Sequence, residues 1–140
     1  MREATRTRGE RGQAAIELVA SVGVLLLPVV LLVASLPTWS ERRHVAIAAA
    51  REATVVAAQG YPRDVSSEAA TIAVGIASTY GVPEDDIEVE VTTDLRRGGS
   101  VAATVTVRMP AISIPAAGTV GAWTWSTTHT RRIDGYRSGG

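Results

Sequence analysis

The chain has 140 residues, with 14 acidic and 14 basic side chains, and every basic one is an arginine, so the formal net charge is zero. Without an excess of positive charge it lacks the electrostatic signature of a nucleic-acid-binding protein, and no nucleic-acid partner is expected. The absence of cysteine excludes a disulfide framework and a thiolate metal site, while a composition of 46% hydrophobic but only 4% aromatic residues predicts a modest aliphatic core.

The first 12 residues, MREATRTRGERG, carry four arginines and two glutamates and have no apolar periodicity. We expect residues 1–12 to form a basic, disordered leader. Arginine-rich flanks of a membrane span stay in the cytoplasm, and only Arg42 and Arg43 follow the next segment closely. The asymmetry favours a cytoplasmic N-terminus, with the rest of the chain outside.

An apolar segment follows, and from Leu18 to Ser40 it contains 23 residues without a charged side chain. A helix of about 20 residues crosses the roughly 30 Å hydrocarbon core of a bilayer. A lone strand would leave its peptide groups unpaired in lipid. The sequence therefore predicts a single transmembrane helix over residues 13–40, located in the cytoplasmic membrane.

Two prolines and a tryptophan interrupt or end this apolar segment. Pro28 lies inside it, removes one backbone hydrogen bond and is expected to kink the helix. Pro37 marks its predicted outer end. Trp39 follows at the depth where an indole ring sits well between lipid and water, so we interpret it, with Pro28, as part of the membrane anchor.

The acidic residue Glu17 immediately precedes the uncharged run. A secretory signal has an apolar core of about 7–15 residues before a small-residue cleavage site, for which 33–35 (Val-Ala-Ser) would serve, but the present run is longer. A plain signal anchor fits the length without explaining the carboxylate, because ionisable groups at such positions are rare and tend to be functional. The simple alternative is a helix-terminal acid, stabilised by the helix dipole by about 0.3–1 kcal/mol.

The residues Gly12-Gln13-Ala14-Ala15-Ile16-Glu17 before an apolar helix resemble the type IV prepilin signal. The strings RGQAAIELVAS, HVAIAAAREATVVAA and HTRRIDGYRS extend the likeness to TadE-like pseudopilins of the tight-adherence (Flp) pilus system. The resemblance implies that a prepilin peptidase cuts between Gly12 and Gln13 on the cytoplasmic side, which makes Glu17 the fifth mature residue. Gln13 departs from the aromatic first residue of many major pilins, so the resemblance does not determine whether the mature N-terminus is methylated.

The function implied by this resemblance is that of a membrane-anchored minor pseudopilin in a bacterial Flp/Tad-type pilus or a related secretion filament. The implied partners are the prepilin peptidase, other pilins and pseudopilins, and the pilus assembly machinery. Glu17 is the residue assigned to assembly. The protein would be the substrate of an enzyme and not itself an enzyme, with no cofactor.

A helical extension is expected over residues 41–59. It carries two rows of small side chains at helical spacing, which are Ala46, Ala50, Thr54 and Ala58, and Ala49, Ala53 and Ala57. Such rows allow close approach of another helix or a sheet. The extension packs either on its own domain, which we favour slightly, or on a neighbouring subunit.

Residues 60–140 are predicted to form a small α+β domain outside the cytoplasm. Residues 64–68 offer N-cap oxygens and a first-turn acid for a second helix. This helix ends at Gly81 and has a predicted core face of Ala69, Ile72, Ala73, Ile76, Ala77 and Tyr80. Alternating patterns then predict three antiparallel strands: one with Ile87, Val89 and Val91 inward; one with Val101, Ala103, Val105, Val107 and Met109 inward; and one over 122–132 with Trp123, Trp125, Thr127 and His129 on one face. The irregular stretch 110–121 has no assigned strand.

The sequence contains no recognised catalytic motif, and no catalytic or metal-binding residue is predicted. His44 and His129 fall in different elements, and 84–86 (Glu-Asp-Asp) lacks the spaced ligands of a calcium loop. Trp123 and Trp125 suit cross-strand packing better than a binding face. The alternative function is a signal-anchored extracytoplasmic enzyme or ligand-binding domain, which would use the tryptophan-bearing strand and the 110–121 stretch.

Overall fold

The computed structural model describes residues 6–114 and 118–134, with side chains described from Gly12 onward. Two helices, a 3-10 turn and five strands follow in order: α1 Arg6–Gln59, α2 Ser66–Thr79, the turn Glu84–Asp86, β1 Ile87–Thr93, β2 Ser100–Met109, β3 Ile112–Ile114, β4 Gly118–Val120 and β5 Trp123–Arg132. A long N-terminal helix, a second helix and a small antiparallel sheet confirm the α+β prediction.

Contacts within the chain define two units. One contains the described residues of Met1–Leu36 with those of Ile112–Val120, and the other contains those of Pro37–Ala111 with those of Gly121–Gly140. We call them the stem unit and the head unit. Residues 37–59 of α1, which we call its outer part, thus belong to the head unit, and the division predicted at residue 60 runs through a single core.

Helix α1 is longer and less interrupted than the sequence suggested. It is already helical at Arg6, so the expectation of a disordered leader is wrong for residues 6–12, while residues 1–5 lie outside the described part. Residues 6–12 contain three arginines and a glutamate, which are good helix formers, beside a threonine and two glycines, which are poor ones. A helix nucleated in the apolar segment extends through them without a new nucleation step. The helix also continues through Pro28 and Pro37, where no break occurs.

The three-stranded sheet has the order β1-β2-β5, and both pairings are antiparallel. Strand β2 is central: it pairs with β1 from Ile87↔Val107 to Thr93↔Val101, and with β5 from Ser100↔Arg132 to Met109↔Trp123. The five inward residues predicted for β2 are all fully buried, as expected for alternation on a sheet with one covered face.

The covered face packs against the outer part of α1. Ala46, Ala49, Ala50, Ala53, Thr54 and Ala57 are at most 2% exposed. The rows of small side chains therefore pack on their own domain, which is the alternative we favoured. Small residues let the helix backbone approach the valine-rich sheet closely, and this explains how a core with so few aromatic residues fills its volume.

Helix α2 confirms part of its predicted face. Ala69, Ala73 and Ala77 are buried, but Ile72 is 37% exposed and Tyr80 is 70% exposed, so these two assignments are wrong. The alanine row, spaced by four residues, lies deepest, since close helix–sheet contact admits a narrow fully buried stripe. Val74 and Ile76 beside it are half-buried, and Val74 packs against the core cluster.

Gly81 ends α2 as predicted. Its φ is 79°, a conformation that glycine adopts without steric cost, and its N–H donates to the Ser78 carbonyl at 2.9 Å. The Val82 N–H donates to the Ala77 carbonyl at 3.0 Å, and the Val82 side chain is buried. These two bonds form a Schellman motif with its accompanying apolar contact.

The stretch 110–121 was expected to be irregular, but it contains a second small sheet. Strand β3 pairs with β4 in the register Ile112↔Val120, Ser113↔Thr119 and Ile114↔Gly118. The segment is too short, and too rich in proline and glycine, for its alternation to stand out from the sequence.

Candidate functional site

Residues 12–17, which carry the resemblance to a prepilin signal, lie on α1 as regular helix. Gly12, Gln13 and Glu17 are all helical and exposed. Gln13 and Glu17 are four residues apart, which places them on the same helix face about 6 Å apart along the axis. A side chain added at Gly12 would meet nothing within 4 Å, so the chain itself imposes no requirement for glycine there.

The position of Glu17 argues against the simple explanation for its charge. A helix dipole stabilises an acid only within the first turn, and α1 already includes Arg6, so Glu17 lies about three turns inside this helix. Among the described side chains, none forms an ion pair or hydrogen bond with this carboxylate. The exposed side chains of Ile16 and Leu18 flank it at 72% and 65% exposure.

The apolar part of α1 is uncovered on nearly its whole circumference. Apolar residues 40–75% exposed occur on every side of the helix, among them Val19, Val22, Val24, Leu25, Leu26, Leu27, Val29, Val30, Leu32, Val33 and Leu36. Between Gly12 and Leu36 only Leu31 and Ser35 are half-buried. α1 is the one described helix long and apolar enough to cross a membrane. An all-round apolar surface is stable only in lipid or among other apolar helices.

Trp39 lies at the start of the head unit and packs within it. Its indole N–H donates to the Pro110 carbonyl at 3.1 Å, and its ring meets Trp123 edge to face at 5.9 Å between centroids. This arrangement satisfies the ring's polar atom inside the domain and leaves part of its surface exposed. The predicted anchoring role of Trp39 and Pro28 at the membrane stays a prediction, and the packing role of Trp39 is an addition to it.

Two arginines that follow the apolar segment also make contacts within the head unit. Arg42 forms an ion pair with Asp86 at 2.8 Å and donates to the Arg108 carbonyl. The Arg43 guanidinium lies 5.0 Å from the centre of the Trp125 ring. No sequence signal points to these contacts, because the partners are 44 to 82 positions apart in the chain. The acidic turn therefore supplies a partner for Arg42.

The two histidines do not meet. His44 is exposed on α1, while His129 is half-buried on β5 with its Nδ1 3.0 Å from the hydroxyl of Thr54. That hydroxyl also donates to the Arg51 carbonyl at 2.7 Å, so Nδ1–H of His129 is the donor to Thr54. Within the part of the chain that the structure describes, no three acidic or histidine side chains are grouped to hold a metal ion.

The two tryptophans of β5 pack as the sequence indicated. Trp125 is half-buried, lies across from Val107 and packs on the main core cluster. Trp123 lies across from Met109 and stays 40% exposed. Cross-strand and helix contacts account for both rings.

Comparisons of this chain with protein-family models, with curated proteins and with solved structures found no match.

Proposed function

We propose that this protein is a minor pseudopilin of the TadE-like kind, anchored in the cytoplasmic membrane by α1 and taking part in assembly of a Flp/Tad-type pilus or a related secretion filament. The observation that carries the proposal is the apolar helix with Glu17 at its inner end. Between Gly12 and Leu36 its surface is exposed except at the half-buried Leu31 and Ser35, and the same helix continues into the core of the head unit. A stem of this kind suits lipid before assembly and other stems afterwards.

Processing by a prepilin peptidase would prepare the stem. Cleavage after Gly12 removes four arginines and two glutamates and leaves 10 basic and 12 acidic side chains. Since α1 is helical across this bond, the peptidase must open the first turns of the helix. Gly12 eases that step, because glycine costs a helix about 1 kcal/mol relative to alanine.

Glu17 would then act in assembly. At the edge of a bilayer its carboxylate reaches interfacial water, so it costs less than the roughly 2.5–3.5 kcal/mol of a charge at the membrane centre. Packing among other stems removes that water. The new N-terminal amine of a neighbouring subunit lies at about the same height and offers a matching positive charge, and an unpaired buried charge would be strongly destabilising.

The test is the exchange of Glu17 for alanine or glutamine in cells that make the filament. Both variants should insert and be cut after Gly12, because neither step uses the carboxylate, yet they should be missing from sheared filaments or from the initiation complex. Glu52→Ala is the matched control, since Glu52 is an exposed acid on the outer part of the same helix. Normal filaments from Glu17→Ala would contradict the proposed role.

A further inference from the structure

The hairpin formed by β3 and β4 has a polar face and an apolar face. In its register Ile112, Ile114 and Val120 share one face, while Ser113 and Thr119 share the other. The hairpin also lies in a stretch of 20 residues, 109–128, without any ionisable side chain. Thirteen of these residues, 110–122, connect β2 to β5.

The contacts of the chain group this hairpin with the apolar helix and not with the three-stranded sheet. In the same unit, Leu31 and Ser35 are the half-buried residues of the apolar segment, one turn apart on one face of α1. The Ser35 hydroxyl donates to the Leu31 carbonyl at 2.8 Å, so this face presents no unpaired donor. Ile112 and Ile114 are half-buried in turn, whereas Val120 remains 56% exposed.

We propose that the hairpin Ile112–Ile114 with Gly118–Val120 is a second membrane contact, which lies in the interface of the lipid bilayer beside the outer end of the apolar helix. This inference rests on the proposed membrane anchor. Lipid covers the apolar surface that the helix leaves open, above all Val120. The hydroxyls of Ser113 and Thr119 face the ester and headgroup layer, where hydrogen-bond partners are abundant.

The depth follows from the backbone. A two-stranded hairpin leaves its outer peptide groups unpaired, which the hydrocarbon core does not permit but the interface does. Leu31 precedes Trp39 by eight residues, or about 12 Å of helix, so the half-buried turn lies just inside the level at which a tryptophan ring prefers to sit.

Single-cysteine spin labelling tests this directly, because the chain has no native cysteine. The full chain is placed in nanodiscs of zwitterionic and anionic phospholipid, and collision of the label with oxygen, which enters lipid, is compared with collision with a water-soluble nickel chelate. Labels are placed at Val120 for the hairpin, at Val24 for the apolar helix and at the exposed Glu88 for the outer face of the sheet. All three side chains are exposed, so the labels should not disturb the fold.

We expect the ratio of oxygen to nickel collisions to be several-fold higher at Val120 and at Val24 than at Glu88. If Val24 lies in lipid while Val120 resembles Glu88, the hairpin is in water, and the inference is overturned while the anchor stands. A label at Val120 that is shielded from both reagents would show cover by another protein chain, which also overturns it. If Val24 itself resembles Glu88, the anchor and the proposed function fail together with the inference.

Discussion

Substitutions of Trp39 test whether this ring only anchors the helix in the membrane interface or also stabilises the head unit. Trp39→Phe keeps an aromatic ring but removes the donor to Pro110, and a hydrogen bond of this kind contributes about 0.5–1.5 kcal/mol. Trp39→Ala also removes the edge-to-face contact with Trp123 and the half-buried ring. A fully buried Trp→Ala change costs about 3–5 kcal/mol, so about 2 kcal/mol is expected here.

In a domain of this size 1 kcal/mol shifts the melting temperature by about 4–8 °C. The melting temperature in detergent, followed by circular dichroism, should therefore fall by roughly that amount in Trp39→Phe and by about twice as much in Trp39→Ala. Tyr80→Ala is the control, because that ring is 70% exposed and its loss should change little. If Trp39→Ala melts like the unaltered protein, the ring serves the membrane alone and its packing role is refuted.

Three further predictions concern the head unit. A fragment that begins at Gly60 should not fold, whereas one that begins at Pro37 should melt cooperatively, because only the latter keeps the buried alanine rows of α1. Thr54→Val should lower the free energy of unfolding by about 1–3 kcal/mol, measured by urea denaturation, because it leaves the Nδ1–H of His129 without its acceptor, while Thr54→Ser should retain most of it. The hydroxyl and the backbone N–H of Ser66 donate to the Asp64 carboxylate and hold its pKa below the usual value. The stabilisation from the ionised Asp64 is therefore complete above the ordinary carboxyl pKa and is lost as the pH falls through the lowered one. Asp64→Asn should remove that part of the acid dependence in melting curves taken from pH 7 downward.

The sequence predicted most of the head unit because its signals are local. Alternation along β2 identified all five of its buried residues, and Gly81 before Pro83 marked the end of α2. The rows of alanine on α1 indicated close packing before the partner surface was known. Each of these patterns repeats at the period of its own element, so no knowledge of the fold is needed to recognise it.

The remaining features depend on contacts between distant parts of the chain. Arg42 with Asp86, and Trp39 with Pro110 and Trp123, join residues far apart in sequence, and nothing local distinguishes these arginine and tryptophan side chains from solvent-exposed or lipid-facing ones. The tight approach that buries alanines also left Ile72 outside.

The errors along α1 have a different cause. The sequence predicts a disordered leader and a helix end at Pro37, yet the apolar segment between them gives its peptide groups no better partner than the helix itself. The helix therefore continues through Pro37 into the head unit and is already present at Arg6. For the candidate site this matters, because it places Glu17 well inside the helix, and the proposed cleavage after Gly12 would bring it close to a new helix N-terminus.

The position of the N-terminus in the membrane-extracted protein shows whether the chain is processed as a prepilin. The protein is extracted from membranes of cells that contain a prepilin peptidase, and its intact mass and N-terminal sequence are measured. We expect a chain that begins Gln13-Ala14-Ala15, with cleavage retained in Gly12→Ala and abolished in Gly12→Trp. The chain can accept the tryptophan, because a side chain added at Gly12 meets nothing within 4 Å. A mature chain that begins near Ser35, or equal cleavage of the tryptophan variant, would contradict it.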